Sequence, residues 1–179
     1  MTREDGQRAA PSIALEAGQQ ALLSVGSLKS PLSELPQSGA DSLLVVSSTA
    51  PADLEDELVS LDRDPRSVGH IPISGSDISY DGPMWTCDPL VPDDLTGLSM
   101  RLSTAMQGLE ADRGWVMFDN LNVFLMYARE ERVLRFLDHT MGLARERNLR
   151  GVYAVVADAL DEQTYDVLRR TVDVELDRR

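Results

Sequence analysis

The chain alternates between two kinds of hydrophobic pattern. Four stretches are apolar almost without a break: Ala21-Leu22-Leu23-Ser24-Val25, Ser42-Leu43-Leu44-Val45-Val46-Ser47, Trp115-Val116-Met117-Phe118 and Gly151-Val152-Tyr153-Ala154-Val155-Val156-Ala157. An apolar run with no polar alternation predicts a strand covered on both faces, as in a parallel sheet flanked by helices. The intervening segments show helical spacing. Pro51 to Leu61 sets Leu54, Leu58 and Leu61 four and three residues apart, with acids in its first turn, which predicts an amphipathic helix ended by Asp64-Pro65. Asp94 is placed to cap a helix from Leu95 to Glu110, with Leu98, Leu102, Ala105, Met106 and Leu109 inward. A long helix is expected from Arg129 to Asn148, buried along Val133, Leu134, Leu137, Met141 and Ala144, with Glu131–Arg135 as an ion pair on its wet side. Asp161 caps a last helix to Arg170.

Weaker signals fill the gaps. Ile13 to Gly18 reads as one helical turn. Ser30 before Pro31 is a fair start for a short helix that Pro36 stops within about two turns. Val68 to Ile73 alternates in strand fashion, and Met84 to Cys87 reads as a short strand or an ordered return to the fold after the Gly/Ser/Asp-rich loop Ser74–Pro83. Leu121 to Tyr127 reads as an apolar loop or turn, and Thr171 to Leu176 as an edge strand. Strand and helix therefore alternate along the chain. The expected fold is α/β, a doubly wound, mostly parallel sheet flanked by helices. Its 179 residues suit one domain with a full core, expected over 18–179 after a flexible segment 1–17.

Composition changes this picture in one respect. Acidic residues number 30 against 17 basic ones, for a net charge of −13, and Lys29 is the sole lysine. An acidic chain nearly free of lysine resembles the proteins of salt-accumulating haloarchaea. In multimolar salt the screening length falls to ~3 Å or less, so a high net charge is tolerated. Acidity ordinarily disfavours nucleic acid, and the arginines at 129, 132, 135, 145, 147 and 150 mostly alternate with acids, as on a solvated face. One cysteine, Cys87, excludes an internal disulfide, and it reads as a buried inert thiol. His70 and His139 sit in no recognisable motif. No apolar run approaches the ~20 residues that span a bilayer, and Met1–Ala10 is polar, so no membrane association and a cytoplasmic location are expected.

Asp119-Asn120 directly follows the apolar run Trp115–Phe118. Taken with Asp94-Leu95-Thr96-Gly97-Leu98-Ser99 before it, and Tyr127, Arg135-Phe136-Leu137 and Val152–Val156 after it, the order resembles the RecA superfamily, in particular its KaiC-like branch, over about residues 18–176. The resemblance implies a RecA/KaiC-like fold and a nucleotide site at the carboxyl ends of the strands. There Asp119 would hold magnesium and a phosphate loop Gly-x-x-x-x-Gly-Lys-Ser/Thr would follow the first strand. Here that segment reads Gly26-Ser27-Leu28-Lys29-Ser30. Lys29-Ser30 matches the Lys-Ser end, but Leu28 replaces the preceding glycine and the loop is three residues short. The family's catalytic glutamates follow the second strand, where Ser47-Ser48-Thr49-Ala50-Pro51 holds no carboxylate before Asp53.

The expectation is a noncatalytic domain with a degenerate phosphate loop. It would act through a protein partner or self-association, in regulation or signalling, with Leu121–Tyr127 as a candidate contact surface. No catalytic residue, metal or cofactor is assigned. The alternative is an ATP-binding or slow ATPase module in which Lys29, Ser30 and Asp119 hold Mg-ATP. Asp158 and Asp161 share the carboxyl edge with Asp119, and chance placement in so acidic a chain is the simpler reading.

Overall fold

A computed structural model describes residues 12–26, 30–37 and 40–179. Lys29, and with it part of the phosphate-loop comparison, lies outside the described residues. Seven strands form one sheet in the order β4-β3-β2-β5-β6-β1-β7. They are β1 Gln20–Val25, β2 Leu43–Ser47, β3 Val68–Pro72, β4 Trp85–Thr86, β5 Trp115–Phe118, β6 Arg150–Val155 and β7 Val174–Arg178. Every pairing is parallel, the edge strand β7 included. From β1 the chain passes over two places to β2, builds outward through β3 and β4, then returns to lay β5 and β6 in the gap. The result is a doubly wound α/β fold.

The unbroken apolar runs are explained by two cores. Leu22, Leu44, Val46, Val116, Phe118, Tyr153 and Val155 point to one face, whereas Leu23, Leu43, Val45, Trp115, Met117, Val152 and Ala154 point to the other. Adjacent residues of a strand face opposite sides, so a run covered on both sides has no position left for a polar residue. The first face carries α2 Leu95–Met106, α3 Asn122–Tyr127, α4 Glu130–Glu146 and α5 Glu162–Thr171. Phe118 stacks on Tyr153 at 5.3 Å between ring centroids and meets Phe124 and Phe136 edge-on.

The second face is covered more thinly. It has α1 Pro51–Ser60, with Leu54 and Leu58 inward, one 3-10 turn Pro31–Glu34, and the irregular segment before β1. Ile13 in that segment is buried, and its N–H donates to the Glu34 carbonyl at 2.9 Å.

Several expectations are corrected. Leu121–Tyr127 is not a loop: residues 122–127 form α3, because Leu121 and Phe124 bury into the first core as one helical face. The short helix after Ser30 is a single 3-10 turn, and the Ser30 side chain makes no capping bond. The turn expected over Ile13–Gly18 is irregular. The helix capped by Asp94 stops at Met106, four residues early, although Asp94 does accept from the Gly97 N–H at 2.9 Å. Glu131 and Arg135 form no ion pair within 4 Å. Both side chains are solvated, where such a pair is worth little.

One polar cluster is built into the core beneath β1. The Tyr153 hydroxyl donates to Gln20 Oε1 at 2.8 Å, and Gln20 Nε2 donates to the carbonyls of Gly18 and Leu149. Gly151 lies directly under this amide, where a Cβ would collide with Gln20 Oε1. Among the described residues no helix is long and apolar enough to cross a membrane.

Candidate functional site

The carboxyl ends of β2 and β5 lie side by side, with Val46 opposite Phe118 in register. Each strand ends one residue later in a polar side chain, Ser47 and Asp119. Both carry the parity of Val45 and Met117 and so face the α1 side of the sheet. Ser47 is buried, and its hydroxyl donates to Asp119 Oδ2 at 2.5 Å while accepting from the Thr49 N–H at 2.9 Å. The result is a short relay from the turn entering α1, through a hydroxyl, to a carboxylate.

Desolvation is the main influence on that carboxylate. Burial pushes Asp119 up to about 6, the Ser47 hydrogen bond opposes the rise, and the nearby charge of Glu57 on α1 adds to it. His70, paired across from Val45 on β3, is fully buried, and its Nε2 lies 3.4 Å from the Ser47 carbonyl. Burial lowers it to about 4, so at neutral pH it is an uncharged ring. The site therefore holds one acid that takes up a proton more readily than an ordinary aspartate, one neutral imidazole and two hydroxyl-bearing side chains, with no fixed cation among these residues.

The turn after Asp119 is fixed by two asparagines. Asn120 Oδ1 accepts from the Asn122 N–H, and the Asn122 amide grips the backbone of Val156, donating to its carbonyl at 3.1 Å and accepting from its N–H at 2.9 Å. The exits of β5 and β6 are thereby locked together.

The expected nucleotide residues are only partly brought together. Asp119 stands at the strand end, as read from the sequence. Ser30 begins the 3-10 turn, and Lys29 lies outside the described residues. Arg178 ends β7 beside Val25, at the carboxyl end of β1. Its guanidinium pairs with the buried Glu34 carboxylate of that turn at 3.3 Å. Among the described residues no group of three His, Cys, Asp or Glu side chains is placed to hold a metal ion. Asp158 pairs instead with Arg179, and Asp161 caps α5 through the Thr164 N–H. Asp53 is exposed on α1. Cys87 is half-buried, and burial raises its pKa, away from thiolate chemistry.

Sequence reasoning missed Ser47, His70 and Asn122. Ser47 was legible as the last residue of an apolar run parallel to the one before Asp119. His70 and Asn122 carry no local signal, because their partners are 23 and 34 residues away.

Residues 29–177 match the model of a family of unknown function, DUF7504. No curated protein matches the chain. Among solved structures it is similar to a KaiC-like protein from the hyperthermophilic archaeon Pyrococcus horikoshii OT3, with 12% identity and a TM-score of 0.60 over 91% of this chain and 74% of that one. At that identity the likeness is one of fold, and it agrees with the RecA/KaiC-like layout read from the strand order.

Proposed function

This chain belongs to the DUF7504 family, whose function is unknown, and from that premise we propose that it is a noncatalytic RecA/KaiC-like domain acting through protein contacts. Its setting is regulatory or signalling, in the cytoplasm of a salt-accumulating archaeon. The observation that carries this reading is the short turn at Pro31–Glu34, downstream of β1. A phosphate loop works because a full helix N-terminus presents aligned N–H groups and a positive dipole end to the phosphates. Here the described residues after Ser30 form one four-residue 3-10 turn. Pro31 lacks an N–H, and the turn buries a carboxylate, Glu34, whose charge repels a phosphate. Arg178, at the carboxyl end of β1, is engaged by that same carboxylate. Asp119 meanwhile is bonded by Ser47, in surroundings that disfavour its charge.

The contact surface is argued from α3. Leu121 and Phe124 anchor it to the core, leaving Met126 and Tyr127 at 75% and 63% exposure. Two large apolar side chains held outward on a short, well-anchored helix suit a partner or a second copy of the chain.

A second reading keeps Mg-ATP on Lys29, Ser30 and Asp119. It is favoured by the adjacency of Ser47 and Asp119 at neighbouring strand ends. Thermal unfolding in high salt separates the two. The contact reading expects no shift of Tm with millimolar ATP and magnesium. A shift that is lost in both K29A and D119N overturns it in favour of nucleotide binding.

A further inference from the structure

A concavity away from the Asp119 edge lies on the solvent side of the helical layer where α2 meets α4. Its volume is about 360 Å³. Leu95 and Phe136, both buried, form its floor, and Thr96 and Ser99 of α2 form one wall. The other wall is Arg132, Arg135 and His139 of α4. These arrive together for a simple reason. α4 turns Val133, Phe136, Leu137 and Thr140 inward. Residues 132, 135 and 139 recur at helical spacing along the border of that stripe, on the side of α2.

The wall is cationic in a chain that carries −13. Arg66, Arg113, Arg145, Arg169, Arg178 and Arg179 find carboxylates, whereas Arg63, Arg101, Arg129, Arg147, Arg150 and Arg170 form no such pair within 4 Å among the described residues. Arg132 and Arg135 have none within 4 Å among the described residues, although Glu131 and Asp138 lie on the same helix. Two guanidinium forks, an imidazole and two hydroxyls thus border one apolar-floored cleft. A fork presents paired N–H groups that match the oxygens of a phosphate, and hydroxyls serve the oxygens left over.

We propose that the cleft between α2 and α4 binds the phosphate group of a small phosphorylated molecule. Arg132 and Arg135 take the phosphate oxygens, Thr96, Ser99 and His139 complete the cradle, and Leu95 with Phe136 receives the ligand's apolar part. This site is separate from the strand-edge residues and stands whether or not nucleotide binds there. The net charge of the chain repels anions from its surface at large, so saturable anion binding is diagnostic of a local site.

The test is a titration of the full-length, isotope-labelled chain with inorganic pyrophosphate at constant ionic strength, followed by amide chemical shifts. Saturable shifts are expected at Thr96, Ser99, Arg132, Arg135 and His139. Binding should weaken at least tenfold in the double variant R132A/R135A and less in R132K/R135K, which keeps the charge but loses the fork. Both arginines are exposed, so these variants should fold, and unchanged shifts elsewhere check it. The proposal is overturned by shifts that spread over the surface without saturating. It is equally overturned by binding that R132A/R135A leaves intact, or by a glutamate-rich peptide of equal charge that binds the same residues as tightly as pyrophosphate.

Discussion

Asp119 and His70 are buried ionisable groups whose pH effects oppose each other. Asp119 is held at about 6 in the folded chain against an ordinary 3.8, so the folded state binds its proton more tightly than the unfolded state does. Its contribution therefore falls as pH rises from about 4 to about 6 and is flat above. His70, lowered to about 4 from 6.5, does the reverse: its contribution is full above 6.5 and is lost as pH falls toward 4. Asp119→Asn keeps an acceptor for the Ser47 hydroxyl and removes the buried charge. D119N is expected to be more stable than the parent at pH 7 by about 3 kcal/mol, from the ~1.4 kcal/mol that each pH unit of difference is worth. That gain should vanish near pH 4, where Asp119 is protonated anyway. Urea midpoints of the two proteins at pH 4.5, 5.5 and 7 measure this, and a gain that does not change with pH would sink the assignment. A carboxylate whose replacement stabilises the fold is retained for some purpose other than stability, and the strand edge is where that purpose has to be sought.

At the scale of elements, the clamp between α3 and β6 is the most exacting joint. Asn122 is 9% exposed and satisfies both the N–H and the C=O of Val156. Asn122→Ala leaves the Val156 N–H without its partner in a semi-buried turn, while the Val156 carbonyl keeps the Ala159 N–H, at a cost of about 1–3 kcal/mol. It should also loosen α3, seen as faster amide exchange at Leu121, Phe124 and Val156 than in the parent. If stability drops without that local change, the clamp is not what holds α3. The joint also shows where sequence reasoning stops. The strands were legible because burial on both faces writes itself into consecutive residues, as in Leu43–Val46. The helices α1, α4 and α5 were legible from their spacing and from caps such as Asp161. Leu121–Tyr127 was misread because six residues hold too few turns for a helical period to stand out from a continuous apolar run. Ser30-Pro31 looked like a helix start, but residues 31–34 form a 3-10 turn whose Glu34 meets partners distant in sequence, Arg178 through its carboxylate and Ile13 through its carbonyl. Asp119 was found from its place after β5, whereas its bond to Ser47 required knowing that β2 and β5 are neighbours.

For the whole molecule, the question is which charge effect wins. Among the described residues only one ion pair, Arg178–Glu34, has both side chains less than one-quarter exposed; the others there lie at the surface, where each contributes ~0–1 kcal/mol and is screened by salt. Against this stands the self-repulsion of a net charge of −13 in a 179-residue chain. Raising salt from 0.1 M to 1 M shortens the screening length from ~10 Å to ~3 Å. It weakens the few attractions and the many repulsions alike, and the repulsions are more numerous. Tm should therefore rise by several degrees between 0.1 M and 2 M KCl. Salt also strengthens apolar burial, so a rise alone does not identify the cause. Asp56 and Asp93 are exposed, and among the described residues neither makes an ion pair within 4 Å. Replacing both with lysine reduces the net charge and leaves the core alone. If repulsion dominates, the double variant D56K/D93K is more stable than the parent at 0.1 M KCl, converges with it at 2 M, and shows a flatter dependence on salt. Parallel salt curves for the two proteins would assign the effect to apolar burial and remove the charge argument for a high-salt habitat.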